Sequence, residues 1–492
     1  MIDDVLLGTF IVALGAEPAP AMFTGDSTLT SAFAVSEFAA AAIAAAGVAV
    51  SGLDGAIKGR AAEEGAAEDG ATEGGAIKGR AAEVTVDRAL ADAWFASAIT
   101  PVGWQVPSPW DAVAGDYQSA DGWIRLHTNA PRHKAAALGV LGVAADRELV
   151  AAEVARWSGE DLEAAVVAAG GCAAVMRSAA EWAGHPQGAA VASEPLVHWT
   201  TADAAEPSPH WRPSPGRPLD GVRVLDLTRV IAGPVATRFL AGLGADVLRV
   251  DPPDWHEPAV VADMTLGKRA TRIDATTTVG RDALERLIAG ADLLVHGYRP
   301  GALEALVPLA RRHVLRPGLV EVSLDAYGWS GPWAGRRGFD SLVQMSSGIA
   351  EAGMRWADAS KPTPLPVQAL DHATGYLAAA AAVVALGRVR REGVASSARL
   401  SLARTAVELV AAVPGPVEGT GPVEGPLSKW ALRQSQRPQA ARRPQAAHRP
   451  RSARIDTPWG PADVLPSPLT VGGTRLNWQR GPTELGSDEP RW

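Results

Sequence analysis

Val222-Arg-Val-Leu-Asp-Leu-Thr228-Arg-Val-Ile-Ala-Gly233-Pro234-Val-Ala-Thr-Arg-Phe-Leu-Ala-Gly-Leu243-Gly-Ala-Asp246-Val-Leu-Arg-Val250 is the stretch that decides the fold. Val222 to Leu227 is a short apolar run of strand length, Ala232 to Leu243 carries helical periodicity, and Asp246 to Val250 is a second strand. The alternation continues downstream. A short strand is expected near Arg272, a helix over Arg281 to Ile288, and a strand over Leu293 to Val295. A helix over Ala302 to Val314 and a strand over Leu319 to Ser323 follow. Strand and helix in turn specify an α/β architecture, a doubly wound parallel Rossmann-like sheet. Such sheets bind ligands beyond the carboxyl ends of their strands, where the loops Thr228 to Pro234 and His296 to Gly301 would gather.

Outward from this unit, composition sets the bounds. At 492 residues the chain exceeds one ordinary core, so two or three domains are expected. A net charge of −8 with no folded basic face argues against a nucleic-acid partner. The single cysteine, Cys172, rules out an internal disulfide framework and any multi-cysteine metal site, and fits a cytoplasmic protein. Asp3 and Asp4 stand where a secretory leader would carry positive charge. The Ala-rich run from Phe38 to Val50 is shorter than a membrane span and reads as a buried helix, so no membrane partner is expected.

Two segments interrupt the globular pattern. Gly-Ala-Ile-Lys-Gly-Arg-Ala-Ala-Glu occurs at Gly55 and again at Gly75, around an acidic, Gly-rich piece, and residues 55–83 are expected to form a low-complexity insertion. Residues 414–455, with Arg437-Pro-Gln-Ala-Ala-Arg-Arg-Pro, read as a Pro/Arg-rich linker. The remaining boundaries are a partial helical segment over 1–54, a smaller α+β region over 84–212, the Rossmann-like unit over 213–413 and a C-terminal remnant over 456–492.

Several chemistries lose support. The turn after the first strand has one glycine rather than Gly-x-Gly-x-x-Gly, so a nicotinamide or flavin site is not expected. No Walker loop or His-Glu-x-x-His occurs, and Gly328-Trp-Ser330-Gly lacks the spacing of a serine-hydrolase elbow. His127 and His296 have no partners at metal-ligand spacing, and no metal is expected. One carboxylate stands out. In Pro364-Leu-Pro-Val-Gln-Ala-Leu-Asp371-His, Asp371 meets the start of a long Ala-rich helix. There it could be an ordinary helix cap, or a nucleophile held ionised and aimed outward by the helix dipole.

Ordered motifs bear on that choice. The stretch from Pro218 to Pro253, then Leu266-Gly-Lys268-Arg269, Tyr298-Arg299-Pro300-Gly301, Tyr327-Gly-Trp-Ser-Gly-Pro332 and the Asp371 segment follow one another. Together they resemble the family III CoA transferases (the CaiB/BaiF type), the group that also holds the alpha-methylacyl-CoA racemases. The resemblance runs over about Pro218 to Val413. It implies an acyl-CoA transferase fold and activity, with Asp371 as the nucleophile that carries a covalent aspartyl intermediate. Coenzyme A is then the acyl carrier, and an acyl-CoA and a carboxylic acid are the substrates. Carried over residue by residue, Val230 and Ile231 match the loop against the nucleotide, and Arg249, Lys268, Tyr298 and Arg299 are the further CoA-binding candidates. Backbone N–H groups near Gly375 are candidates for oxyanion stabilisation. His296-Gly297-Tyr298 departs from the family's pattern by lacking an amide side chain there.

Racemases of the group use the histidine of Gly-His-Asp, whereas this chain has Gly338-Phe339-Asp340; phenylalanine moves no proton, so transfer is preferred. A catalytically silent CoA-binding protein is the other alternative. Gly115 to Asn129 and His185-Pro-Gln187 resemble the small domain that in this family follows the catalytic aspartate. Since family members form interlocked dimers, a homodimer or an intrachain pseudo-dimer is expected.

Overall fold

The computed structural model describes residues 1–68, 81–412 and 452–492. Its centre is a seven-stranded sheet made of β1 (His198–Ala204), β2 (Arg223–Leu227), β3 (Asp246–Asp251), β4 (Arg269–Arg272), β5 (Leu293–His296), β6 (Val320–Asp325) and β7 (Val394–Ser401). The order is β4-β3-β2-β5-β6-β7-β1, parallel throughout except for β1, which lies antiparallel on β7. Val224 aligns with Val247 on one side and with Leu293 on the other. The order reverses between β2 and β5. The loops that follow these two strands therefore flank the crevice where a doubly wound sheet takes its ligand.

Both faces of this sheet are covered, which is why its central strands β2 and β5 are dominated by apolar residues. The helices that bear on the site are α1 (Ile2–Leu14), α2 (Val35–Glu68), α3 (Pro131–Leu141), α4 (Ala232–Gly242), α5 (Asp340–Ser346) and α6 (Ala369–Glu392). Val224, Val247, Val295 and Val322 face one core with α2, α4 and α6, while Leu225, Leu248 and Leu294 face a second core with Leu284, Leu287 and Ile288. Alternate residues thus serve opposite layers, as strand pleating requires.

At the heart of the first core lies α6, buried along nearly its whole length. Its run Ala378 to Ala382 and the run Ala39 to Ala42 of α2 are fully buried, and the two helices pack together. Small side chains allow that close approach. By length and composition Val35–Ile57 and Ala369–Glu392 could each cross a membrane, but the apolar stretch of α6 is buried in protein throughout and that of α2 mostly so. Both helices serve as core here.

The rest of the chain is divided differently from the sequence expectation. Residues of the 84–212 region contribute to three places. Val84–Asp87 pairs with Ala21–Thr24 and with Leu469–Val471, and Ile99–Pro101 pairs with Gly460–Val464. A separate three-stranded sheet of Gly115–Gln118, Trp123–Leu126 and Ala173–Val175 packs with α3 around Tyr117, Ile124, Leu141, Val150, Leu162 and Val166. Then β1 joins the central sheet, so that sheet reaches back before residue 213. Gly55 to Glu68, expected to open the insertion, continues α2. Residues 69–80 of that insertion, 414–451 of the expected linker and residue 413 before it lie outside the described residues.

Candidate active site

Asp226, next to last in β2, is fully buried and organises the first loop. Its carboxylate accepts hydrogen bonds from Thr228 N at 2.9 Å, Thr237 Oγ1 at 2.5 Å and Lys268 Nζ at 2.9 Å. The Lys268 ammonium and these donors hold the Asp226 carboxyl below its ordinary value against the cost of burial. Gly233 is needed beside this knot, because a Cβ there would lie 2.3 Å from the Thr228 side chain. Between them Val230 is forced to φ 68°, a left-handed conformation that costs a β-branched residue about 1–2 kcal/mol. Its N–H donates to Glu257 Oε2 at 3.0 Å, and Glu257 in turn is paired with Arg249.

This loop forms one wall of a cleft of about 390 Å³ at the switch point. The facing wall is Gly297 to Pro300 after β5. Above them Trp255 and Tyr298 hold the Arg229 guanidinium 5.1 and 5.4 Å from their ring centres, and Arg229 Nη2 donates to Tyr298 Oη at 3.3 Å. The far end is closed by Arg132 and His133 of α3 and by Gly335 to Phe339. Asp325, at the carboxyl end of β6, also lines the cleft, and burial pushes its carboxyl up to about 7.

Asp371 reaches the floor of this space. It is the third residue of α6, whose N-cap Gln368 makes no side-chain cap bond. Its N–H donates to Asp340 Oδ2 at 2.9 Å, and Asp340 also accepts from Gln344 Nε2. The Asp371 carboxyl receives no hydrogen bond from the described residues. Burial, with the Asp340 charge alongside, raises it well above the usual carboxylate range, and Asp340 is itself pushed up to about 6 by burial. Asp371 is therefore not a solvent-exposed cap. It is a nearly enclosed, undersolvated carboxyl. Gly375, one turn further along, offers no open N–H; it lies against α4, where a Cβ would meet the Ala232 carbonyl at 2.4 Å.

The cleft gathers Asp371, Val230, Tyr298 and Arg299 but not the other candidates. Ile231 turns into the main core. Lys268 is fully buried, bonded to Asp226 and the Pro234 carbonyl, and burial lowers its ammonium to about 8. Arg249, also fully buried, is bound by Asp251 through Nε at 2.9 Å and Nη2 at 3.0 Å. Each basic residue meets an internal acid, so neither is free for a phosphate. Arg249 acts instead through Glu257 on the Val230 loop.

Asp340, Arg229, Asp325, His133, Arg132, Arg336 and Arg337 were not expected from the sequence. Arg229 and Asp325 could have been found, since each follows or ends a strand at its carboxyl edge. Residues of α3 carry no such signal, because only tertiary packing brings them across. His127 stacks on Phe339 with ring centres 3.7 Å apart, and His133 lies edge-on to the same ring at 5.9 Å. Burial lowers these imidazoles to about 3 and about 4, so both are neutral near pH 7.

Residues 219–427 match the family described as CoA-transferase family III. A probable fatty acyl-CoA transferase of Mycobacterium tuberculosis, Rv3272, is 33% identical over 216 residues, 40% of this chain and 54% of that protein. A succinyl-CoA–D-citramalate CoA-transferase of Chloroflexus aurantiacus is 33% identical over 193 residues, 36% of this chain and 48% of its own length. The orthorhombic crystal structure of Rv3272 covers 41% of this chain and 57% of that chain, with 32% identity and a TM-score of 0.37. This chain spans about half the length of the curated relatives it matches.

Proposed function

Its residues 219–427 being a CoA-transferase family III segment, we propose that this chain moves CoA from an acyl-CoA to a carboxylic acid, with Asp371 as the nucleophile. The observation that carries the reading is the bare Asp371 carboxyl on the cleft floor, without a hydrogen-bond donor to satisfy it among the described residues. Ionised in that place, it is poorly stabilised and correspondingly reactive.

In the first step a carboxylate oxygen of Asp371 attacks the thioester carbonyl carbon. The C–S bond breaks, CoA leaves as thiolate and an acyl-aspartyl anhydride remains. The thiolate then attacks the aspartyl carbonyl, releasing the donor acid as carboxylate and leaving an aspartyl-CoA thioester. An acceptor carboxylate reverses both steps, and Asp371 is regenerated with no net uptake of protons or water. Keeping water out preserves the energy of the thioester. Asp371 is 9% exposed, which suits that demand. The first-turn N–H groups of Ala232 and Gly233, at the start of α4 and in the cleft wall, favour negative charge on the attacked carbonyl oxygen. One chain supplies both walls, which supports an internal arrangement of the site rather than one that waits for a second subunit.

The test is mass spectrometry of protein incubated with an acyl-CoA and quenched with hydroxylamine. Modification is expected at Asp371, and Asp371→Ala should lose exchange entirely while keeping its circular-dichroism spectrum. A folded wild-type protein that never forms the adduct would overturn the proposal. One observation favours a second reading, a CoA-ester racemase: neutral His133 stands beside Phe339 and could take the proton that Phe339 cannot. Incorporation of deuterium at the alpha-carbon of a chiral 2-methylacyl-CoA separates the two.

A further inference from the structure

The left-handed turn at Val230 is held from outside its own loop. Glu257, in the segment after β3, has a side chain that is 8% exposed, and its two oxygens are divided between two tasks. Oε1 lies 2.5 Å from Nη2 of Arg249, a guanidinium that Asp251 fixes through two further bonds. Oε2 accepts from Val230 N–H at 3.0 Å and from Trp255 Nε1 at 2.9 Å. The backbone beneath is anchored as well, since the Glu257 carbonyl accepts from Val260 N–H and Val261 N–H, each at 3.1 Å. One carboxylate thus ties the Val230 backbone and the Trp255 ring to β3.

Both donors on Oε2 belong to residues of the cleft wall. Trp255 is one of the two rings that hold Arg229. Val230 precedes Ile231, the N-cap of α4, which makes no side-chain cap bond. The course of the chain at Val230 therefore sets the direction in which the first turn of α4 sets out, and with it the N–H groups of Ala232 and Gly233. A valine at φ 68° stays there only while its surroundings over-determine it. The bond from Thr228 N–H to Asp226 fixes the loop on one side, and the bond to Glu257 holds the Val230 N–H itself. Without the second bond the turn relaxes toward negative φ, and the start of α4 moves with it.

We propose that Glu257 is a positioning residue: paired with Arg249, it keeps Val230 left-handed and so holds the first turn of α4 and the Trp255–Arg229 wall in the arrangement that exchange on Asp371 uses. The catalytic part of this rests on the CoA-transfer reading. The place calls for a carboxylate rather than any acceptor. Glutamine has one oxygen and one NH2, so it can accept from Val230 and Trp255 or turn its oxygen to Arg249, but it cannot do both. Aspartate keeps two oxygens on a shorter stem.

A double-mutant cycle with Val230→Gly tests this, because glycine adopts positive φ without strain and needs no holding. In the otherwise unchanged chain Glu257→Gln should lower the kcat of exchange about 100-fold. Glu257→Asp should restore part of that loss. In the Val230→Gly chain the same Glu257→Gln change should cost less than about tenfold, measured against Val230→Gly alone. An equal fall in both backgrounds overturns the proposal and leaves Glu257 as a plain partner for a buried arginine. So does an unchanged kcat with only a lower unfolding midpoint. Urea unfolding of the same four proteins gives a readout that needs no activity: Glu257→Gln should lower the midpoint less in the Val230→Gly chain than in the unchanged one. Coupled midpoints with no exchange in any of the four support the hold on Val230 and sink the transfer reading. Exchange by all four with additive effects on rate and midpoint sinks the hold and leaves CoA transfer standing.

Discussion

Asp340 and Asp371 place two carboxyl groups in one buried spot, and their titration acts on activity and stability in opposite directions. Both are raised in the folded protein, Asp340 to about 6, so the native state holds protons that the unfolded chain has released. The stability this contributes is full below the ordinary carboxylate value near 3.8 and is lost as pH rises through the raised values. The proposed nucleophile needs the ionised form, so exchange should increase over the same range. Asp340→Asn removes the like charge while keeping an acceptor for the Asp371 N–H. The acid limb of the kcat profile is expected to move to lower pH, measured as exchange rate against pH. An unmoved limb would mean that Asp340 does not set the ionisation of Asp371. At this scale the sequence was half legible. A carboxylate before an Ala-rich helix drew notice to Asp371, but its ionisation depends on Asp340, which lies on another helix. Likewise Arg249 and Lys268 looked available for phosphate because their partners Asp251, Glu257 and Asp226 are recognised as partners only once the strands are side by side.

Among the elements, the contact between α4 and α6 fixes Asp371 over the cleft. At Gly375 the two helices lie close together, with Val235 as well as the Ala232 carbonyl in the way of any Cβ. Gly375→Ala should therefore separate the helices, costing about 1–3 kcal/mol by thermal or urea unfolding. Exchange should fall more than stability alone explains, since a displacement of a fraction of an ångström moves the nucleophile. If kcat is retained in the folded fraction, α4 does not position Asp371. The alternation of strands and helices was readable from β2 to β6 because β2, β3 and β5 are compact apolar runs that set the period, although β4 is Arg-Ala-Thr-Arg. Two strands escaped. Val394–Ser401 is rich in Ser and Ala, and β1 is a polar edge. The helix expected over Ala302 to Val314 breaks into Ala302–Leu306 and Leu309–Leu315, with Pro308 capping the second piece, as a residue without an N–H would dictate.

For the molecule as a whole, the C-terminal segment acts as a clasp over distant parts. Trp478 stacks on Trp94 with ring centres 5.1 Å apart, donates from Nε1 to the Arg238 carbonyl at 2.8 Å, and closes over Gly242 and Gly267. Trp478→Ala is expected to cost about 3–5 kcal/mol, read as a lower unfolding midpoint. It should also expose the Trp94 end of the molecule to proteolysis, and an unchanged cleavage pattern would argue against the clasp. Nothing in the sequence after Pro458 announced this role, because neither Trp94 nor Arg238 is near it in the chain. The three-stranded unit that carries α3 could be recognised as a piece, but its docking against the half built on the seven-stranded sheet could not.

Val84–Asp87 is sandwiched between Ala21–Thr24 and Leu469–Val471, so one sheet needs strands from nearly opposite ends of the polypeptide. During synthesis Val84–Asp87 must therefore wait for about 380 later residues before Leu469–Val471 covers its second edge. The Ala-rich face of α2 meanwhile awaits α6, leaving an adhesive hydrocarbon surface uncovered on the ribosome. A nascent chain of this design invites holdase chaperones for much of its elongation.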